Sequence, residues 1–102
     1  MLDQIIEELN NKLSNAFDDF EGVYLYGSRL RGDFKEDSDV DLIAIFKHVD
    51  RDKRMKIWRI VGWLEYKYDL ILDLHPMTIE ELKQNPYHYE QIVGKGKFYE
   101  AA

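Results

Sequence analysis

Leu2, Ile5, Ile6, Leu9, Leu13, Phe17 and Phe20 recur at steps of three and four, and Ala16 falls on the same stripe. That spacing puts them on one face and predicts a helix over residues 3–18. Asp3 reads as its N-cap, and Gly22 as the end of the segment. Val23-Tyr24-Leu25-Tyr26 is β-branched and aromatic, which predicts a strand broken by Gly27. Residues 40–46 are continuously apolar after Asp41, the pattern of a strand covered on both faces.

Asp50 is placed to cap a helix over residues 51–66. Its core stripe is Ile57, Ile60, Val61 and Leu64, with Trp58 and Trp63 on the flanks. Tyr68 to His75 predicts a third strand, stopped by Pro76. Thr78 and Glu81 have capping-box spacing, and Met77 and Leu82 stand where a hydrophobic staple forms. Pro86 interrupts that helix, residues 87–93 predict a further turn or two before Gly94, and Phe98-Tyr99 a last extended segment. The order is α-β-loop-β-α-β-α. A helix joins the second and third strands, so they are expected as parallel neighbours with a right-handed crossover.

A length of 102 residues fits one domain over residues 1–102. Such a chain buries roughly 60–70% of the surface its unfolded form exposes. A hydrophobic content of 45% argues against disorder. The chain has no cysteine, hence no disulfide and no thiolate metal site, which fits a reducing, cytoplasmic setting. The first residues lack the basic start of a signal peptide, and no apolar run reaches the ~20 residues of a membrane helix. No membrane partner is expected. The net charge of -6 argues against direct nucleic-acid binding but leaves room for nucleotides held through a metal ion.

The chemistry concentrates between the first two strands. Gly27-Ser28 is followed by ten residues, Arg29 to Ser38, and then by Asp39-Val40-Asp41. Alternation along a strand points Asp39 and Asp41 to the same side. At about 5 Å and an effective dielectric near 20, two such charges repel by roughly 3 kcal/mol. A divalent cation relieves that repulsion, and Mg²⁺ suits one or two carboxylates completed by water and phosphate oxygens. Gly27 lets the backbone approach a ligand closely. Free amides at the first turn of a short helix over residues 28–30 would bind phosphate, with the Ser28 hydroxyl and Arg29 or Arg31 in reach and Gly32 turning the chain back. Gly-Ser or a DxD pair alone is common in ordinary turns. The specific signal is strand, Gly-Ser, ten residues, DxD and strand together.

This pattern, in the wording LYGSRLRGD…SDVDL, resembles that of the DNA polymerase β nucleotidyltransferase superfamily, and among its members the minimal nucleotidyltransferases (MNT proteins). The resemblance is strongest over residues 23–46 and extends more weakly to about residue 93. It implies an α/β fold of the α+β type, an α-β-α-β-α-β core with a small mixed sheet flanked by helices. It also implies transfer of a nucleoside monophosphate from an NTP with release of pyrophosphate. Two Mg²⁺ ions would be held by Asp39, Asp41 and a third carboxylate, while Gly27-Ser28 grips the triphosphate. The family places the third carboxylate on the strand after the crossover helix, where Asp69 and Asp73 are candidates. If parallel strands start level, Asp69 opens its strand as Asp39 and Asp41 open theirs, and Asp73 lies roughly 13 Å further on at ~3.3 Å per residue. Level strand starts therefore favour Asp69 over Asp73.

By the same resemblance the donor is ATP, and the acceptor is a tyrosine of a cognate HEPN-domain toxin, which makes the chain an antitoxin. Alternatives are a non-catalytic docking antitoxin and nucleotidyl transfer to a small molecule. Homo- and hetero-oligomers both remain open. Other features read more plainly. His48, His75 and His88 lack metal-ligand spacing, and His75 is expected to be structural or at the rim of a cleft. Gly94-Lys95-Gly96-Lys97 lacks the Walker spacing and reads as a flexible turn. Tyr87, His88 and Tyr89 are candidates for a partner surface, Tyr24 and Tyr26 for packing in the sheet, and residues 50–54 for a solvated helix start.

Overall fold

The computed structural model describes residues 2–27 and 39–102. Ser28, Arg29, Arg31, Gly32 and the short helix expected over residues 28–30 lie outside the described residues. Helix α1 (Leu2–Ala16) turns Ile5, Ile6, Leu9 and Leu13 inward, as the three-and-four spacing requires. Strands β1 (Phe20–Tyr26) and β2 (Val40–Phe46) follow, then helix α2 (Arg51–Tyr68) and strand β3 (Leu72–Met77). The chain closes with two short helices, α3 (Ile79–Lys83) and α4 (Pro86–Tyr89), a π-helical turn (Glu90–Gly94) and strand β4 (Lys97–Glu100).

The four strands form one sheet in the order β3-β2-β1-β4. β2 and β3 are parallel, while β1 is antiparallel to both of its neighbours. The expected mixed sheet and the parallel pair joined by a helix are thus borne out. β2 is covered on both faces. Val40, Leu42, Ala44 and Phe46 pack toward α1 and α2, where Phe17 meets the Phe46 ring edge-on at 5.5 Å. Ile43 and Ile45 pack toward Leu82 of α3 and Ile92 of the π-helical turn. The alternation leaves Asp39 and Asp41 on the second face, with Ile43 and Ile45 filling its interior.

Several boundaries differ from the sequence reading, each for a local reason. Asp3 lies inside the first turn of α1 instead of capping it, and its carboxylate accepts from the Tyr99 hydroxyl at 2.5 Å. Gly22 does not end a segment. It sits in β1 beside a register shift, at φ +148, where the Phe98 ring and the Tyr99 carbonyl leave no room for a Cβ. α2 keeps its Asp50 cap, whose side chain accepts from the Lys53 amide, but it runs on to Tyr68. Asp69 then closes it in the left-handed conformation, φ 53 and ψ 54, with its N–H donated to the Glu65 carbonyl. The third strand therefore begins at Leu72, four residues later than Tyr68.

Pro76 does not stop β3 but lies within it. β3 is an edge strand, and a proline there lacks only an N–H that would face outward. The Thr78–Glu81 capping box forms as expected. Lys53 is not a solvated helix-start residue. Its side chain is 11% exposed, and its ammonium holds Asp19 at 2.6 Å and the His48 carbonyl at 2.5 Å, tying the start of α2 to the turn before β1. Burial works against ionising Asp19, yet Lys53 and the His48 amide outweigh it and hold that carboxyl below its usual range. Among the described residues, no helix is long and apolar enough to cross a membrane.

Candidate active site

The register of the sheet assembles the site. Asp41 pairs with Tyr26 of β1 on one side and with Asp73 of β3 on the other. Paired residues of neighbouring strands point to the same face, so these three side chains stand together at one end of the sheet. Asp39 immediately precedes β2 and is exposed, whereas Asp41 is half-buried. Gly27 ends β1 at φ +84, and a Cβ there would collide with the Asp41 carboxylate. The glycine is needed twice, for its backbone angle and for the space it leaves.

Electrostatics mark the same group. Burial raises the pKa of Asp41, and the charges of Asp73 and Asp39 raise it further. Asp41 and Asp73 are paired residues whose side chains share one face, so their negative charges oppose each other there. His75 lies two residues along β3, its Nε2 3.0 Å from Asp73 Oδ1, and partly offsets the negative field. Burial together with Asp41 and Asp73 pushes the Tyr26 hydroxyl to about 12, so Tyr26 stays neutral and its ring walls the site. The His88 ring stands edge-on to Tyr26 at 6.0 Å.

The sequence-predicted residues are thus sorted by the fold. Gly27 abuts the Asp41 carboxylate, and Asp39 lies close enough for its charge to act on Asp41. Asp69, favoured from sequence as the third carboxylate, is an exposed helix cap outside the strand. Asp73 is the residue in register with Asp41. Tyr68 belongs to α2 and β3 opens at Leu72, so Asp73 and not Asp69 comes level with Asp41. His75 stands at the rim, as expected. Sequence reading missed Tyr26 as a wall of the site. Its signal was the Tyr immediately before Gly27, which an antiparallel pairing carries level with the acidic pair.

Among the described residues, no three Asp, Glu or His groups already stand as a complete metal-ligand set. The donors present nevertheless fit a hard divalent cation. Asp41 and Asp73 are paired across β2 and β3 on one face, and a cation bound between them would remove the repulsion of their charges.

The family model described as "Nucleotidyltransferase domain" matches residues 2–99. The chain belongs to that family. This nucleotidyltransferase domain is 35% identical over 71 residues to a Methanocaldococcus jannaschii protein provisionally named a protein adenylyltransferase, covering 68% of this chain and 72% of the relative. Its fold is similar to that of a chain in the crystal structure of a toxin–antitoxin complex with AMP-PNP. There the TM-score is 0.68, at 23% identity over 96% of this chain and 72% of the other. It is also similar to a chain in the complex of a tri-AMPylated Shewanella oneidensis HEPN toxin with an MNT antitoxin. The TM-score is 0.63, at 19% identity over 96% of this chain and 71% of the other. At these identities the two structures speak for the nucleotidyltransferase fold alone.

Proposed function

We propose that this nucleotidyltransferase moves AMP from ATP onto a protein acceptor, a tyrosine of a cognate HEPN-domain toxin, and acts as its antitoxin. The observation that carries the catalytic reading is the juxtaposition of Asp41 and Asp73 beside Gly27. The protein acceptor is supported by the name of the Methanocaldococcus relative, and the toxin by the complexes that share the fold. In this reading Asp39, Asp41 and Asp73 hold Mg²⁺, and Gly27-Ser28 with Arg29 and Arg31 grips the triphosphate.

Held by those carboxylates, Mg²⁺ would supply charge neutralisation at the phosphates and a lower pKa for the attacking hydroxyl. The chain's own groups do the positioning. Gly27 lets the backbone reach the phosphates, because no side chain stands between it and Asp41. Tyr26 and Ile43 back the carboxylates with apolar surface, which strengthens every charge interaction in front of them.

The test is labelling of a co-encoded HEPN protein by the purified chain with ATP, labelled at the α-phosphate, and Mg²⁺. Wild type should transfer label and an Asp39→Asn/Asp41→Asn double variant should not. If that variant neutralises the toxin as well as wild type does, docking is the active principle and transfer is not.

A further inference from the structure

Helix α2 carries a second apolar stripe, away from the core. Ile57, Val61 and Leu64 face inward. Met55, Trp58, Gly62 and Tyr66 recur at steps of three, four and four and so share another face. The three large side chains are 46%, 55% and 91% exposed, on a side of the helix that is ordinarily polar.

Gly62 lies among them, inside an α-helix, where glycine is disfavoured relative to every residue but proline. A Cβ at Gly62 would meet nothing within 4 Å. Neither a turn nor a crowded neighbour within the chain accounts for the glycine. What it provides is a shallow hole on the outer surface, walled by the side chains one turn away, Trp58 and Tyr66.

The charges beside the stripe change sign along the helix. Arg51, Arg54, Glu65 and Asp69 are spaced by three, eleven and four, so they line one border of it. The arginines stand at its start and the carboxylates at its end. Among the described residues neither arginine has a carboxylate partner. Glu65 gives Oε2 to the Leu72 amide and keeps Oε1.

Such a face is complementary to itself turned end for end. In two antiparallel copies related by a two-fold axis, residue i faces residue j while j faces i. Arg51 with Asp69, Arg54 with Glu65, Met55 with Tyr66 and Trp58 with Gly62 are four such pairs, each centred within half a residue of position 60. One axis therefore satisfies all four. It sets each arginine against a carboxylate, lays Met55 on the Tyr66 ring and drops each indole into the opposite Gly62 hole. A parallel pair would set arginine on arginine. Arg59 lies on the other border of the stripe, at the rim of the contact.

We infer that the outer face of α2 is a docking surface whose partner is α2 of a second copy of this chain, in an antiparallel pair crossing near residue 60. The pairing does not depend on the nucleotidyl-transfer reading. α1 and α2 cover the face of the sheet opposite Asp41 and Asp73, so both sites stay open in the dimer.

The purified chain is tested by sedimentation velocity up to about 100 µM, where a contact of micromolar strength is filled. A concentration-dependent dimer is expected. Gly62→Leu should weaken it about tenfold or more by filling the hole. Leucine suits a helix better than glycine, and its Cβ meets no neighbour, so the dilute variant should melt no lower than wild type. Arg51→Glu/Arg54→Glu should weaken the dimer to a similar degree, because like charges then face each other. The chain has no cysteine, so single thiols report the orientation. Met55→Cys mixed with Tyr66→Cys should form a mixed disulfide on oxidation. Either variant alone should not, since like positions lie about 15 Å or more apart along the pair. A chain that stays monomeric, its stripe left to a different protein, overturns the inference. So does a dimer that Gly62→Leu leaves intact, and so do disulfides between like positions formed as fast as the mixed one.

Discussion

Asp41 occupies a position that opposes its own charge. Its pKa is raised by burial and by the neighbouring carboxylates Asp73 and Asp39. An acid whose folded pKa lies above its unfolded value of about 3.8 costs stability as the pH rises from that value through the folded one. Below it, both states hold the proton and nothing is lost. Asp41→Asn is therefore expected to raise the melting temperature at pH 7 in chelator, with a gain that shrinks as the pH is lowered toward 4. Added Mg²⁺ should stabilise wild type and leave the variant unmoved, which thermal melts with and without metal will read. The two candidate third carboxylates separate just as sharply. Asp73→Asn should lower transfer by on the order of a hundredfold or more, the scale of losing a metal ligand worth several kcal/mol. Asp69→Asn should leave transfer unchanged, because asparagine tolerates the left-handed helix cap and the side chain lies outside β3. Single-turnover labelling on both variants is the measurement.

Among the elements, β3 shows how far periodicity reaches. The apolar and β-prone run from Tyr68 to His75 reads as a strand, yet its first residue belongs to α2 and its ordered pairing starts at Leu72. Pattern alone could not decide this, because residues 68–71 suit either state. Docking decided it, since α2 buries Ile57, Val61 and Leu64 and carries the helix one turn further before Asp69 can reverse the chain. The same docking places Glu65 to accept from the amide of Leu72. Glu65→Ala should cost about 1–3 kcal/mol by leaving that amide without a partner at a buried residue. It should also promote assembly beyond a dimer by opening the edge of the sheet. Chemical denaturation and sedimentation velocity will measure the two effects.

Across the whole molecule, the two ends of the chain are held together by a few polar contacts. The Asn10 side chain of α1 donates to the Glu100 carbonyl at 2.7 Å, and the Tyr99 hydroxyl donates to Asp3. β4 thereby stays paired to β1, which has a neighbour on each side from Gly22 to Leu25. Asn10→Ala should lower stability by about 1–2 kcal/mol. Hydrogen exchange should quicken at residues 97–100 before it does in β2, whose side chains are buried on both faces. Loss of protection spread evenly over the sheet would contradict this view of the clamp.

Local chemistry made much of this protein legible in advance. The helical stripe of α1, the two-sided apolar run of β2, the Asp50 cap and the Thr78–Glu81 box depend on neighbours a few residues away, and each formed where expected. The family, too, was readable, because the spacing from Gly27-Ser28 to Asp39-Val40-Asp41 is written in consecutive residues. Which aspartate faces Asp41 was not, because register between β2 and β3 is set by how α2 docks between them. A shift of that strand start by four residues exchanges Asp69 for Asp73 without altering the alternation of side chains.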